Sequence, residues 1–249
     1  MKAIFKIIRN ELKMLFSSPI AWLILIIFAY QAGAEFCNGF ERQLRYMVQG
    51  YSLQKLTDSL FTSRSVFWQI QQNLYLYIPL LTMGIMSREY NSGSIKLLYS
   101  SPITNFQIIG GKFIALMIYM LALLSVVILM IVYASFTVKG LDFGALGSGL
   151  LGLYLLACAY CAIGLYMSTL TSYQVVAAVG TMAVLAALNF IGGVGQEIEW
   201  VRSITYWLSI SGRASEMITG LICSEDVIYF IAVITLFLTL SIMKLKYER

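Results

Sequence analysis

Six apolar stretches of membrane-spanning length, at roughly 19–36, 66–87, 113–136, 145–167, 173–194 and 227–243, constrain this chain more than any other feature. Inside them the sole charged side chain is Glu35, at the margin of the first. A bilayer core about 30 Å thick calls for roughly 20 apolar residues per helix, and backbone in lipid is satisfied only by helices or closed barrels. The pattern predicts an all-α, polytopic membrane protein with six transmembrane helices, in a single domain over residues 1–249. Hydrophobic residues make up 59% of the chain and charged residues 12%, which leaves little for a soluble domain.

The net charge of +5 would point to nucleic acid only if the basic residues shared a soluble face, and they are sorted by side of the membrane instead. The side with the N-terminus, residues 88–112, the loop near 168–172 and the C-terminus holds ten basic residues against three acidic ones; the opposite side holds seven against nine. By the positive-inside rule both termini are cytoplasmic. The start, MKAIFKIIRNELKMLFSSP, lacks the short apolar core and cleavage pattern of a signal peptide and reads as retained structure.

Residues 2–16 set Ile4, Ile8, Leu12, Leu15 and Phe16 on one helical face and Lys2, Lys6, Arg9 and Lys13 on another, as an N-terminal interfacial helix would. Ser17, Ser18 and Pro19 should break it before span one; a plain cytoplasmic extension of that span is the alternative. Residues 37–65 are expected to face outward as a loop with short helices, packing Phe40, Tyr46 and Tyr51 on the bundle. Span two carries Gln69, Gln71, Gln72 and Asn73, and span five carries Asn189. Amides are costly against lipid, so Gln69, Gln72, Asn73 and Asn189 are candidates for a polar pathway or for hydrogen bonds between helices, the latter favoured at Asn189.

The segment REYNSGSIKLLYSSPITNFQIIGGK, at 88–112, is the most structured stretch on its side. Gly93 and Ser94 should end one helical piece and begin another, Ile95 to Tyr99 supply a short semi-apolar helix, Pro102 resets the chain, and Thr104 caps the approach to span three. So short a helix is marginal alone, and makes sense docked where it receives a push from a cytoplasmic partner. In spans four and five, Gly149/Gly152, Ala157/Cys161 and Ala183/Ala187 recur at spacings that permit close helix approach within the bundle. Between span five and span six, the segment containing Trp200, Tyr206 and Trp207 suits short helices that dip into the outer leaflet or lie on it.

Recognisable catalytic chemistry is missing. The chain has no histidine, no apposed carboxylates at bilayer depth and no phosphate-cradling loop of its own: before Gly111–Lys112, Phe106 stands where the first glycine would be required. Cys158 and Cys161 in span four read as packing residues, with no further ligands for a metal, while Cys37 and Cys223 share the outer side and could be bridged. No cofactor site, metal site or catalytic residue is predicted. Uphill movement of a substrate would need energy from another subunit.

Four stretches, ELKMLFSSPIAWLILIIF at 11–28, REYNSGSIKLLYSSPITNFQIIGGKFIAL at 88–116, the small-residue spans four and five, and ITGLICSEDVIYFIAVITLFL at 218–238, give the chain its likeness. It resembles the membrane subunits of ABC-2-type (ABCG-like, type V) transporters, and within them the permeases of gliding motility and of nitrous-oxide-reductase maturation. The second stretch matches the family's E-x-x-x-G-[ST], apolar helix, S-P and G-K at Glu89, Gly93, Ser94, Ser101, Pro102, Gly111 and Lys112, with Lys96 where the family often has an acid.

The resemblance implies a half-transporter in the bacterial inner membrane, with an elbow helix, six spans, a coupling helix and a re-entrant outer segment before span six. It further implies cytoplasmic ABC ATPase subunits that bind ATP and Mg2+, and a second copy or a homologous permease beside it. Coupling to the ATPase would fall to Arg88, Glu89, Gly93, Ser94, Ile95, Lys96, Leu97, Leu98, Tyr99 and Pro102, with Arg88 and Glu89 anchoring the segment by charge pairing. Export is the expected direction. A force-transmitting or assembly subunit without transport, or a membrane-embedded enzyme, are the alternatives; a neighbouring gene for a nucleotide-binding ATPase would separate them.

Overall fold

The computed structural model describes residues 2–48, 60–61, 66–100, 103–137, 141–191 and 209–248. Among these the chain is almost wholly helical and contains no strand. In chain order the helices are α1 (Lys2–Ser17), α2 (Pro19–Val48), α3 (Val66–Thr82), α4 (Ser87–Ser92), α5 (Ile95–Ser100), α6 (Asn105–Thr137), α7 (Phe143–Leu170), α8 (Gln174–Phe190), α9 (Ile210–Ile218) and α10 (Ser224–Glu248). Among the described residues four, α2, α6, α7 and α10, are long and apolar enough to cross a membrane. The other two expected spans are represented by α3 and α8, apolar helices of 17 residues each, about 26 Å long.

Three span boundaries differ from expectation. Instead of giving way to a loop at 37, α2 continues to Val48, where Arg42 reaches Glu35 at 3.9 Å and Arg45 reaches Glu41 at 3.5 Å. Hydropathy marks where apolar surroundings end, not where backbone hydrogen bonding ends. The apolar run 66–87 is not one helix: α3 stops at Thr82, residues 83–86 turn, and α4 starts at Ser87. Ile85 and Met86 of that turn are buried, and Ser168 of α7 satisfies it. Its hydroxyl accepts from the backbone N–H of Met86 (3.0 Å) and Ser87 (3.1 Å) and donates to the carbonyl of Met83 (3.0 Å), so the freed backbone groups find protein partners. Finally, α6 begins at Asn105 and not at 113, because Thr104 and Gln107 form a reciprocal capping box (Gln107 N–H to Thr104 Oγ1, 3.3 Å; Thr104 N–H to Gln107 Oε1, 3.2 Å).

The core sits on α7, which packs against α3, α6, α8, α9 and α10. Its residues from Leu156 to Leu165 are buried on every side. Small residues make this possible, because an added Cβ at Gly149 would lie 2.4 Å from the Phe67 ring, one at Gly152 2.7 Å from Met217 Cβ, and one at Gly164 2.2 Å from Thr82 Oγ1. The expected small-residue packing therefore holds for α7. It fails for α8, whose Ala183 and Ala187 lie on an exposed face with Val175, Val176 and Val179. Cys37, Cys158, Cys161 and Cys223 are all free thiols, so Cys37 and Cys223 are not bridged. The outer-loop residue Tyr51, the aromatics Trp200, Tyr206 and Trp207, and Pro102 lie outside the described residues.

Candidate functional site

At the end of the bundle that holds α1, α4 and α5, one buried lysine joins three helices. Lys112 of α6, 1% exposed at its side chain, places Nζ 2.5 Å from Glu11 Oε1 of α1, 2.6 Å from Glu89 Oε1 of α4 and 3.0 Å from the carbonyl oxygen of Ile85. An ammonium has three donors, and all three are used. The neighbouring glycine makes the approach possible: an added Cβ at Gly111 would lie 2.9 Å from Ile7 Cγ2, so α1 settles on α6 only because that position carries no side chain. The Gly-Lys pair is thus a saddle followed by a clasp.

The electrostatics are unequal. Two carboxylates share one ammonium, and Glu89 Oε2 is buried without a hydrogen-bond partner among the described residues. Burial pushes the Glu89 carboxyl above its ordinary range; the Lys112 ammonium and the Arg88 guanidinium oppose that rise and the Glu11 carboxylate adds to it. A buried charge held this way depends on its partner, because removing one member leaves another uncompensated.

Beyond this clasp the chain projects. Gly93 takes φ 70° and closes α4, its N–H bonded to the Tyr90 carbonyl, a left-handed cap that glycine adopts without strain. Ser92 and Ser94 hydroxyls meet at 2.8 Å across that corner. In α5, Ile95 is buried against the core, while Lys96 and Ser100 are exposed and Leu97 is 74% exposed. Tyr99 is half-buried, Leu98 is placed by its backbone alone, and Arg88 is exposed, its guanidinium lying over Gly84. The structure therefore gathers Glu89 with Lys112, and sets α5 outside them as a ledge.

The candidate amides do not converge. Asn73 donates to Gln31 Oε1 of α2 at 3.3 Å, and Tyr77 also donates to that oxygen. Gln69 and Gln72 are partly exposed on α3. Asn189 is buried on α8, and its Oδ1 has no hydrogen-bond partner among the described residues, so the interhelical bond expected of it does not form through that atom. The amide that ties helices together is Gln71, whose Nε2 donates to the Ser211 carbonyl (2.6 Å) and Ser211 Oγ (2.9 Å) of α9, while its Oε1 accepts from Ser215 Oγ (3.3 Å). On its other side α9 is held by a buried ion pair, Arg213 Nη1 to Asp226 Oδ1 at 2.8 Å, with the guanidinium 4.6 Å from the Tyr229 ring centre.

Sequence reasoning missed Glu11 as the partner of Lys112. The signal was present: Glu11 falls in the same helical stripe as Ile4, Ile7 and Leu15, an acid on an apolar face. No group of His, Cys, Asp and Glu suited to a metal occurs among the described residues. Residues 5–198 match the family model described as ABC-2 family transporter protein. No curated protein matches the chain.

Proposed function

Because the chain belongs to the ABC-2 family of transporter proteins, we propose that it is the membrane-spanning permease subunit of an ATP-driven exporter, with six crossings and both termini in the cytoplasm. The family is a transport membrane component that partners an ABC ATPase subunit, so ATP and Mg2+ would bind that partner. Charge sorting along the sequence supports the orientation, in the bacterial inner membrane. The two shorter helices α3 and α8 would complete the six crossings, and α9 would be the part of the re-entrant outer segment nearest α10. The E-x-x-x-G-[ST] to G-K stretch supports a place near the gliding-motility and nitrous-oxide-reductase-maturation permeases.

The observation that carries the mechanism is the Lys112 clasp, which ties α4 to α1 and α6 through buried charge. The ATPase would close on α5, where Leu97 stands out from the surface. Ile95, Gly93 and Ser94 would pass the displacement to α4, and Lys112 would distribute it to the elbow helix and the third crossing. Access to a cavity between this chain and a second copy or similar permease would then alternate. The test is a reconstituted complex with the ATPase in which residues 93–100 are replaced by a flexible linker: regulation of ATP hydrolysis should be lost while assembly of the membrane subunit persists, and unchanged regulation would overturn the mechanism.

A further inference from the structure

Helix α1 presents three different faces. Ile4, Ile7, Glu11 and Leu15 follow one another at spacings of three and four and turn toward α6, where Ile7 meets Gly111 and Glu11 meets Lys112. Beside them runs an apolar flank of Phe5, Ile8, Leu12 and Phe16, in which Phe5 is 69% exposed. Lys6, Arg9 and Lys13 make the third face, all exposed and within about 60° of one another around the helix, since each residue advances about 100°. None of these three cations takes part in an ion pair among the described residues, and the one acid of α1, Glu11, is committed on the buried side. Like charges at such spacings destabilise a helix, so the stripe needs opposite charge from outside the chain.

We propose that this outward face binds the anionic headgroups of the bilayer leaflet on which α1 lies, and that their charge seats the opposite face on α6 and so holds Glu11 at the Lys112 clasp. A basic stripe alone would suit an acidic protein surface as well; the apolar flank and the position of α1 decide for lipid. The Trp22 indole N–H donates to the Phe16 carbonyl at 2.6 Å and so fixes the end of α1 to the start of α2, a helix long and apolar enough to cross a membrane. There the flank can enter the acyl boundary while the lysines and arginine stay among the phosphates. Zwitterionic headgroups bring each phosphate with its own cation and neutralise the stripe less well. Glu11 and Glu89 meet the same ammonium, so lifting α1 from α6 removes one of the clasp's two acids, and lipid charge acts on α4 from the far side of α1. The inference rests on the permease reading only for the depth of α1; it needs neither an ATPase nor a transported substrate.

The experiment is hydrogen exchange on the full chain, without any partner, in lipid nanodiscs of phosphatidylcholine alone or with phosphatidylglycerol added. Exchange in residues 4–15 should be at least about fivefold slower with phosphatidylglycerol, the worth of one basic residue at an anionic surface, and high salt should shrink the difference. Lys6→Gln, Arg9→Gln and Lys13→Gln made together should abolish it while the thermal midpoint in detergent stays unchanged, because all three side chains are exposed. Phe5→Ser keeps the charge, weakens the flank and should reduce the difference. The slowing should extend to α4, and Glu11→Leu, which leaves Lys112 paired with Glu89, should remove it from α4 while α1 still responds. Equal exchange in the two discs, a difference that survives the triple replacement, or equal slowing by soluble polyglutamate in phosphatidylcholine discs would overturn the lipid assignment. A response of α1 that never reaches α4 would overturn its link to the clasp.

Discussion

The two ends of this bundle solve the same problem with different charge stoichiometry. At one end Lys112 serves two carboxylates on two other helices, Glu11 and Glu89. At the other end Arg213 pairs with Asp226, is covered by the Tyr229 ring, and belongs to a helix that Gln71 also holds from the opposite side. A matched pair backed by neutral hydrogen bonds fixes α9 in one position. In the clasp two acids share one buried ammonium, and the second of them is offset only by the exposed Arg88 guanidinium, so it is the end whose geometry a modest change in charge can alter. The ledge formed by α5 stands beside that end.

The largest effect should come from taking out the central cation. Lys112→Met leaves two buried carboxylates facing each other and should destabilise the chain by about 3–5 kcal/mol, read as a fall in the thermal midpoint in detergent. Arg213→Met should cost a similar amount by stranding Asp226. The comparison is sharpened by paired replacement: Arg213→Met with Asp226→Leu should recover most of the loss, since an apolar pair of similar volume is often no worse than a buried ion pair. Lys112→Met with Glu11→Leu should recover less, because Glu89 then keeps only the exposed Arg88 guanidinium to offset its charge. Equal recovery at both ends would remove the distinction.

Next in size is the close approach that brings the clasp together. Gly111→Ala would drive a methyl to 2.9 Å from Ile7 Cγ2 and 3.2 Å from Ile7 Cβ, atoms near a branch point that cannot swing aside freely. Overpacking of this kind costs about 1–3 kcal/mol, and here it should also loosen α1, seen as faster hydrogen exchange in residues 4–15. Gly147→Ala, where an added Cβ meets open space, is the control that should leave the thermal midpoint nearly unchanged. Ser168→Ala should cost about 1–3 kcal/mol because it strands the Met86 and Ser87 N–H groups, with faster exchange confined to the turn between α3 and α4.

These sites also divide what the sequence reveals from what it hides. The break at Ser17 to Pro19, the Gly93 cap and the Thr104 box were legible because each is decided by residues within a few positions: a proline ring, a glycine at φ 70°, a hydroxyl three residues from a glutamine. The end of α3 was not, since the apolar run continues to Ser87 and the hydroxyl that satisfies its broken backbone arrives from Ser168, some eighty positions on. Glu89, Gly111 and Lys112 could be picked out as a pattern, but Glu11, 101 positions before Lys112, shows in the sequence only as an acid in an apolar stripe. Gln71 was visible among its neighbouring amides, and what selects it is the approach of α9.

The smallest effect is the one most specific to the over-supplied end. Glu89 is held above its ordinary carboxyl range by burial, more than Lys112 and Arg88 restore, so the folded chain binds its proton more tightly than the unfolded chain does. Stability must then fall as pH rises from the ordinary glutamate value through the raised one, the reverse of a carboxylate stabilised by its partner. Glu89→Gln keeps an oxygen to accept from Lys112 and removes the titrating proton, so the thermal midpoint across that window should lose this downward slope while the midpoint at its acidic end hardly changes. A wild-type midpoint that rises with pH there, or a slope that survives Glu89→Gln, would mean that Lys112 stabilises the ionised form of Glu89 after all, and that the two ends differ in the number of helices they join but not in their sensitivity to charge.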